Sequence, residues 1–101
     1  MYLVNASFIM EAPTAGVFLD RLPHLLQDLR LMPSVSVMLE VGGVAAADAE
    51  AMTISMQWRF ESRREASLWL EDGFAGLASK TGGEFGERVM IFTSLFEEIW
   101  S

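Results

Sequence analysis

Residues 2–11 alternate between two kinds of position. Tyr2, Val4, Ala6, Phe8 and Met10 share one face, and Leu3, Asn5, Ser7, Ile9 and Glu11 share the other. A period of two with one wholly apolar face predicts a strand. From Pro13 and Thr14 the period changes. Phe18, Leu22, Leu25 or Leu26 and Leu29 recur at helical spacing, with Asp20, Arg21, Gln27, Asp28 and Arg30 between them. Pro23 lies inside this run, where its missing amide donor predicts a kink or a split. Met32-Pro33 is expected to end the helix.

From Ser34 the period returns to two: Val35, Val37, Leu39 and Val41 face one way, and Ser34, Ser36, Met38 and Glu40 the other. Gly42-Gly43 and the stretch from Val44 to Glu50 predict the loop of a long hairpin. A third strand follows, with Met52, Ile54, Met56, Trp58 and Phe60 inward and Thr53, Ser55, Gln57, Arg59 and Glu61 outward. Ser62-Arg63-Arg64-Glu65 has the form of a capping box. The helix it opens carries Ala66, Trp69, Leu70, Phe74 and Leu77 on one stripe and is expected to end near Lys80, before Gly82-Gly83. The apolar run from Val89 to Phe96 predicts a fourth strand.

The order strand, helix, strand, strand, helix, strand repeats one βαβ plan over 2–41 and 52–96. Right-handed crossovers then place two helices on one face of a four-stranded antiparallel sheet. The expectation is a single α+β domain over 1–101 with a ferredoxin-like βαββαβ fold. Trp58, Trp69, Phe74 and Phe60 fall on the inward stripes and read as core.

Two helices cover only one side of such a sheet. The other side is expected to show Leu3, Asn5, Ser7, Ile9, Ser36, Met38, Glu40, Thr53, Ser55, Gln57 and Arg59, with one row of the fourth strand beside them. That strand is apolar on both faces, Val89, Ile91 and Leu95 against Met90, Phe92 and Phe96. A contiguous apolar row on an uncovered face marks an interface, so a homodimer through the open sheet face is expected.

Composition narrows the partners. Fourteen acidic against seven basic residues give a net charge of −7, which leaves no basic patch for nucleic acid or anionic membrane. The absence of cysteine excludes disulfides, thiolate zinc sites and a Cys nucleophile. The opening residues lack the pattern of a signal peptide and no apolar stretch reaches spanning length, so a cytoplasmic location is expected. Half of the chain is apolar, which excludes disorder and fits an ordinary core.

Two groups of residues are candidates for chemistry. Arg59, Gln57, Asn5, Ser7 and Ser55 should cluster on neighbouring central strands, where they could bind an anionic or carbonyl-bearing ligand. His24, with Asp20 and Asp28 four residues to either side, is a sparse candidate for a cation. A solvated polar face explains that spacing equally well. No cofactor is expected. The glycines at 82, 83 and 86 follow a helix instead of opening one, the wrong order for a phosphate loop.

Three segments carry a family resemblance: Met1-Tyr2-Leu3-Val4-Asn5-Ala6-Ser7-Phe8, Thr53-Ile54-Ser55-Met56-Gln57-Trp58, and Phe85-Gly86-Glu87-Arg88-Val89-Met90-Ile91-Phe92. They resemble the opening, the third strand and the closing motif of a bacterial domain-of-unknown-function family. The resemblance implies a ferredoxin-like fold related in shape to the dimeric α+β barrels. It covers the first strand and roughly the second half of the chain. The first helix departs from the family, which usually carries two Trp residues and a His-Ile-Pro where this chain has Phe18 and Arg21-Leu22-Pro23. The family's Arg-Thr in the last strand is Thr93-Ser94 here. The resemblance carries no activity over; the uncovered sheet face and the absence of paired acid/base residues lead to the expectation of a non-enzymatic homodimeric module that binds a protein partner or small ligand. The alternative is a small cofactor-independent enzyme of the dimeric α+β barrel type, similar to monooxygenases or decyclases.

Overall fold

In the computed structural model, which describes residues 1–45 and 51–101, the opening alternation becomes one strand, β1 (Tyr2–Glu11). Its inward row Val4, Ala6, Phe8 and Met10 is buried, and Leu3, Asn5, Ser7 and Ile9 stay half-buried on the opposite side. Two helices follow, α1 (Ala12–Asp20) and α2 (Leu22–Leu26), and then the short strand β2 (Ser34–Val37). A small hairpin of β3 (Glu40–Val41) and β4 (Val44–Ala45) precedes the long strand β5 (Ala51–Phe60). After β5 come α3 (Arg63–Leu68), a π-helical turn (Trp69–Gly73), α4 (Ala75–Phe85) and the last strand, β6 (Met90–Glu97).

The main sheet has the order β2-β5-β1-β6, and every pairing in it is antiparallel. β1 is central: Tyr2 stands opposite Phe60 of β5 and Glu97 of β6. The helices pack on the face formed by Val4, Phe8, Ile54, Met56 and Trp58. Between the layers lies an aromatic cluster. Ring centroids are 5.3 Å apart for Phe8 and Phe18, 5.4 Å for Trp58 and Trp69, and 5.8 Å for Trp58 and Phe74. Tilted and edge-on pairs of this kind add about 0.5–1.5 kcal/mol each to the burial of the rings.

The first helix is split, as Pro23 predicts, but the break falls at Arg21. A continuous helix would drive the proline ring against the carbonyl of Leu19, so the chain ends α1 first and restarts with Pro23 in the opening turn of α2. The helix stops at Leu26, well before the expected end at Met32.

The second helix departs from expectation in two ways. It runs through Gly82-Gly83 to Phe85, because Thr81 and Phe85 are core residues and Phe85 packs 5.6 Å from Phe18. Gly86 ends the helix at φ +57 and ψ −132, a backbone conformation open to glycine, and Arg88 donates to the carbonyls of Phe85 and Glu84. Its start has the expected Ser62 cap, whose hydroxyl accepts from the Glu65 amide at 3.1 Å. No return bond from the Glu65 carboxylate is present among the described residues.

The strand expected to run from Ser34 to Val41 ends at Val37, and Val41 belongs to the separate hairpin. Gly42 and Gly43 both have positive φ, the requirement of a tight two-residue hairpin turn. Val35 and Val37, expected to be inward, are exposed because the helical layer does not reach over this edge. The rest of the predicted loop, 46–50, lies outside the described residues.

Candidate functional site

The uncovered face of the sheet gathers the residues singled out in the sequence. Register places Asn5 opposite Gln57 and Ser7 opposite Ser55 on β1 and β5. The Gln57 amide donates to Asn5 Oδ1 at 3.3 Å, and Asn5 Nδ2 donates to Ser7 Oγ at 3.1 Å. On the far side of β5, Ser34 and Ser36 of β2 continue the polar strip. Arg59 stands one pair further along, opposite Leu3. Its guanidinium reaches the Glu98 carboxylate at 3.2 Å, so this cation already has an anionic neighbour. Glu98 is therefore tied to the sheet. A groove of about 310 Å³ adjoins the strip, lined by Ser34, Gln57, Trp58 and Arg59 and by Leu31, Met32 and Pro33.

β6 closes the other side of this face. Its pairing with β1 turns Met90, Phe92, Ser94 and Phe96 to the same side as Ile9, Ser7, Asn5 and Leu3. Met90, Phe92 and Phe96 are 55, 53 and 50 % exposed. The opposite row, Ile91 and Leu95, packs against the core. The face is thus polar along β5 and β2 and apolar along β6.

His24, Asp20 and Asp28 do not converge. His24 Nε2 lies 3.2 Å from Glu84 of α4, and Asp28 pairs with Lys80 at 2.8 Å. Arg21 grips the same Glu84 carboxylate with two bonds, at 3.1 and 2.8 Å. Hydrogen bonding from Arg21 holds the Glu84 carboxyl below its ordinary range, and hydrogen bonding from Lys80 does the same for Asp28. Among the described residues no three His, Asp or Glu side chains form a metal-ligand set. The cluster fastens α2 to α4.

The layer between helices and sheet is filled by the aromatic cluster. Trp58 donates its indole N–H to the Leu31 carbonyl at 3.0 Å, and Thr81 donates to the Leu77 carbonyl at 2.8 Å. The Trp69 indole N–H is buried with no acceptor among the described residues. Sequence reading missed this donor, as well as Glu84 and Glu98. No local spacing reveals an acceptor supplied by a distant element.

No family model matches the chain, and no curated protein matches it either. Among solved structures, the chain is similar to a dimeric ferredoxin-like protein from an uncultured marine organism. The identity is 12 % and the TM-score 0.56, over 99 % of this chain and 96 % of that one. The fold is therefore of the ferredoxin-like α+β kind. Two further structures superpose less well. One is a protein of Shewanella loihica PV-4 described as a candidate monooxygenase, at 11 % identity, TM-score 0.49 and coverage of 99 and 96 %. The other is a variant of MhuD with two manganese protoporphyrin IX molecules bound per active site, at 15 % identity, TM-score 0.48 and coverage of 98 and 96 %.

Proposed function

We propose that this chain is a non-catalytic homodimeric module, joined through the open face of its sheet, that binds a protein partner or small ligand. The observation that carries the reading is the row of Met90, Phe92 and Phe96, half-exposed beside Leu3 and Ile9 on the side the helices leave bare. Apolar surface of this extent on one face is characteristic of an interface. A solved protein of the same fold is described as dimeric, which agrees with it. The polar strip of Asn5, Ser7, Ser55 and Gln57, with Arg59 at its end, is the ligand-binding part of the proposal. The strip offers amide and hydroxyl groups for a carbonyl-bearing ligand and one guanidinium for an anion.

One observation favours a second reading, a small cofactor-independent enzyme. Among the described residues the buried Trp69 N–H lacks an acceptor, as a donor kept for a substrate would. Such an enzyme needs a polar partner beside that donor, but Trp58 and Phe60 pack against the indole. The groove of about 180 Å³ that Trp69 lines with Arg30, Leu31, Phe60, Glu65 and Leu68 holds no His, Tyr or Asn. The binding reading is preferred on that ground.

Light scattering tests the association. The purified protein should have about twice the mass of the 11.2 kDa chain at micromolar concentration. Phe92→Asp combined with Phe96→Asp should give a monomer that keeps its far-ultraviolet circular dichroism, because both side chains lie outside the core. A parent protein that stays monomeric at high concentration overturns the proposal.

A further inference from the structure

The connection from α2 to β2 ends in Leu31-Met32-Pro33 and is pinned to the sheet by Trp58 of β5, whose indole N–H reaches the Leu31 carbonyl at 3.0 Å. Pro33 disfavours helical backbone at Met32, so the segment runs straight on into β2. Leu31 and Met32 keep 41 and 61 % of their surface exposed. They form an apolar wall of the groove of about 310 Å³ that Ser34, Gln57 and Arg59 also line. Register sets Ser34 opposite Gln57, and Arg59 follows two residues on along β5, on the same face. The chain carries twice as many acidic as basic residues, yet among the described residues no carboxylate lines this groove. Arg59 gives it a positive end. The bond to Glu98 engages Nη2 alone and leaves the side chain 62 % exposed, with most of its N–H donors unspent.

We infer that this groove binds a monocarboxylate with an apolar tail, of the class of medium-chain fatty acids, its head on Arg59 and its tail along Leu31 and Met32. The inference rests on the ligand-binding part of the reading above and names the class of ligand. Charge selects the head. A guanidinium that already shares its charge with Glu98 matches one further negative charge better than the roughly −1.5 to −2 of a phosphate monoester at neutral pH. A carboxylate is also planar, and can take two parallel bonds from the guanidinium fork with the Ser34 hydroxyl beside them. The wall selects the tail. A ligand polar throughout would gain nothing from Leu31 and Met32, whereas an alkyl chain removes both from water, and the unbranched Met32 side chain can adapt its shape to the chain it covers. The volume is near the lower end of the range for small-molecule sites, which favours a short tail over a long-chain lipid.

Calorimetric titration with butanoate, hexanoate and octanoate tests this, with octanol as the uncharged control. Kd should fall about threefold for each methylene that the wall covers. Octanol should bind about tenfold more weakly than octanoate, since it cannot make the charged bonds. Met32→Ser, at an exposed position, should flatten the dependence on chain length and leave butanoate unmoved. Glu98→Gln removes a competitor for the guanidinium and should tighten octanoate several-fold. Octanol binding as tightly as octanoate overturns the inference, and so does an affinity that Glu98→Gln leaves unchanged. If butanoate binds as tightly as octanoate and Arg59→Gln abolishes both, the tail is overturned while Arg59 stands as an anion site. If no carboxylate of the series binds the parent, the inference and the ligand-binding reading at Arg59 fall together.

Discussion

Gly73 has no room for a methyl group. A Cβ built there would lie 2.1 Å from Cε3 of Trp69, against a ring held by Trp58 and Phe60. The collision arises because the π-helical turn folds Gly73 back over the indole, with the Phe74 amide bonded to the Trp69 carbonyl at 2.7 Å. Gly73→Ala should destabilise the protein by about 1–3 kcal/mol, the usual cost of overpacking, measured as a lower urea midpoint. Arg59 poses the opposite case, a group with capacity to spare. Glu98 takes one bond from a guanidinium that carries five donors. Small carboxylates or phosphates that bind there should raise the melting temperature of the parent and leave Arg59→Ala unmoved. A flat screen would remove Arg59 as an anion anchor.

Among elements, the most informative junction joins α2 to α4. Arg21 stands at the break between α1 and α2, and both Glu84 and Lys80 lie on α4. Pro23 sets this up by forcing the break; Lys80 adds a bond to the His24 carbonyl at 3.2 Å. The depressed carboxyls of Glu84 and Asp28 fix the sign of the pH dependence. A carboxyl that is more acidic in the folded state stabilises the fold above its unfolded range, and that stabilisation is lost as the pH falls through the folded value. Melting temperature should therefore fall on acidification through and below the ordinary carboxylate range. Arg21→Ala should melt lower at neutral pH and converge on the parent in acid. The effect will be small, since these pairs sit at the surface.

For the whole molecule, the strands β1 and β5 were legible because their alternation records two unlike environments. The same pattern misled at β2. Val35, Val37, Leu39 and Val41 alternate as if one side were covered, but alternation shows only that the sides differ. Covering that side takes a helical layer, and α2 stops at Leu26. The end of α4 was misplaced for a related reason. Gly82-Gly83 reads as a stop locally, whereas burial of Phe85 against Phe18 carries the helix onward. Of the candidate site, the Asn5, Ser7 and Gln57 cluster followed from strand order, and the acidic partners of Arg59 and His24 did not. Those contacts depend on where β6 and α4 finish in space.

The central place of β1 has a consequence for how the molecule comes into being. Residue 2 finds its neighbours at residues 60 and 97, so the strand synthesised earliest in this sheet is flanked by the two made last. Nothing local can complete it, and the loops that must close before either ladder forms are long. A topology with such distant pairings folds more slowly than a helical bundle of the same length. On the ribosome one edge of β1 must wait unpaired until β6 has emerged. The interval before that last strand arrives is when this chain is most exposed to aggregation.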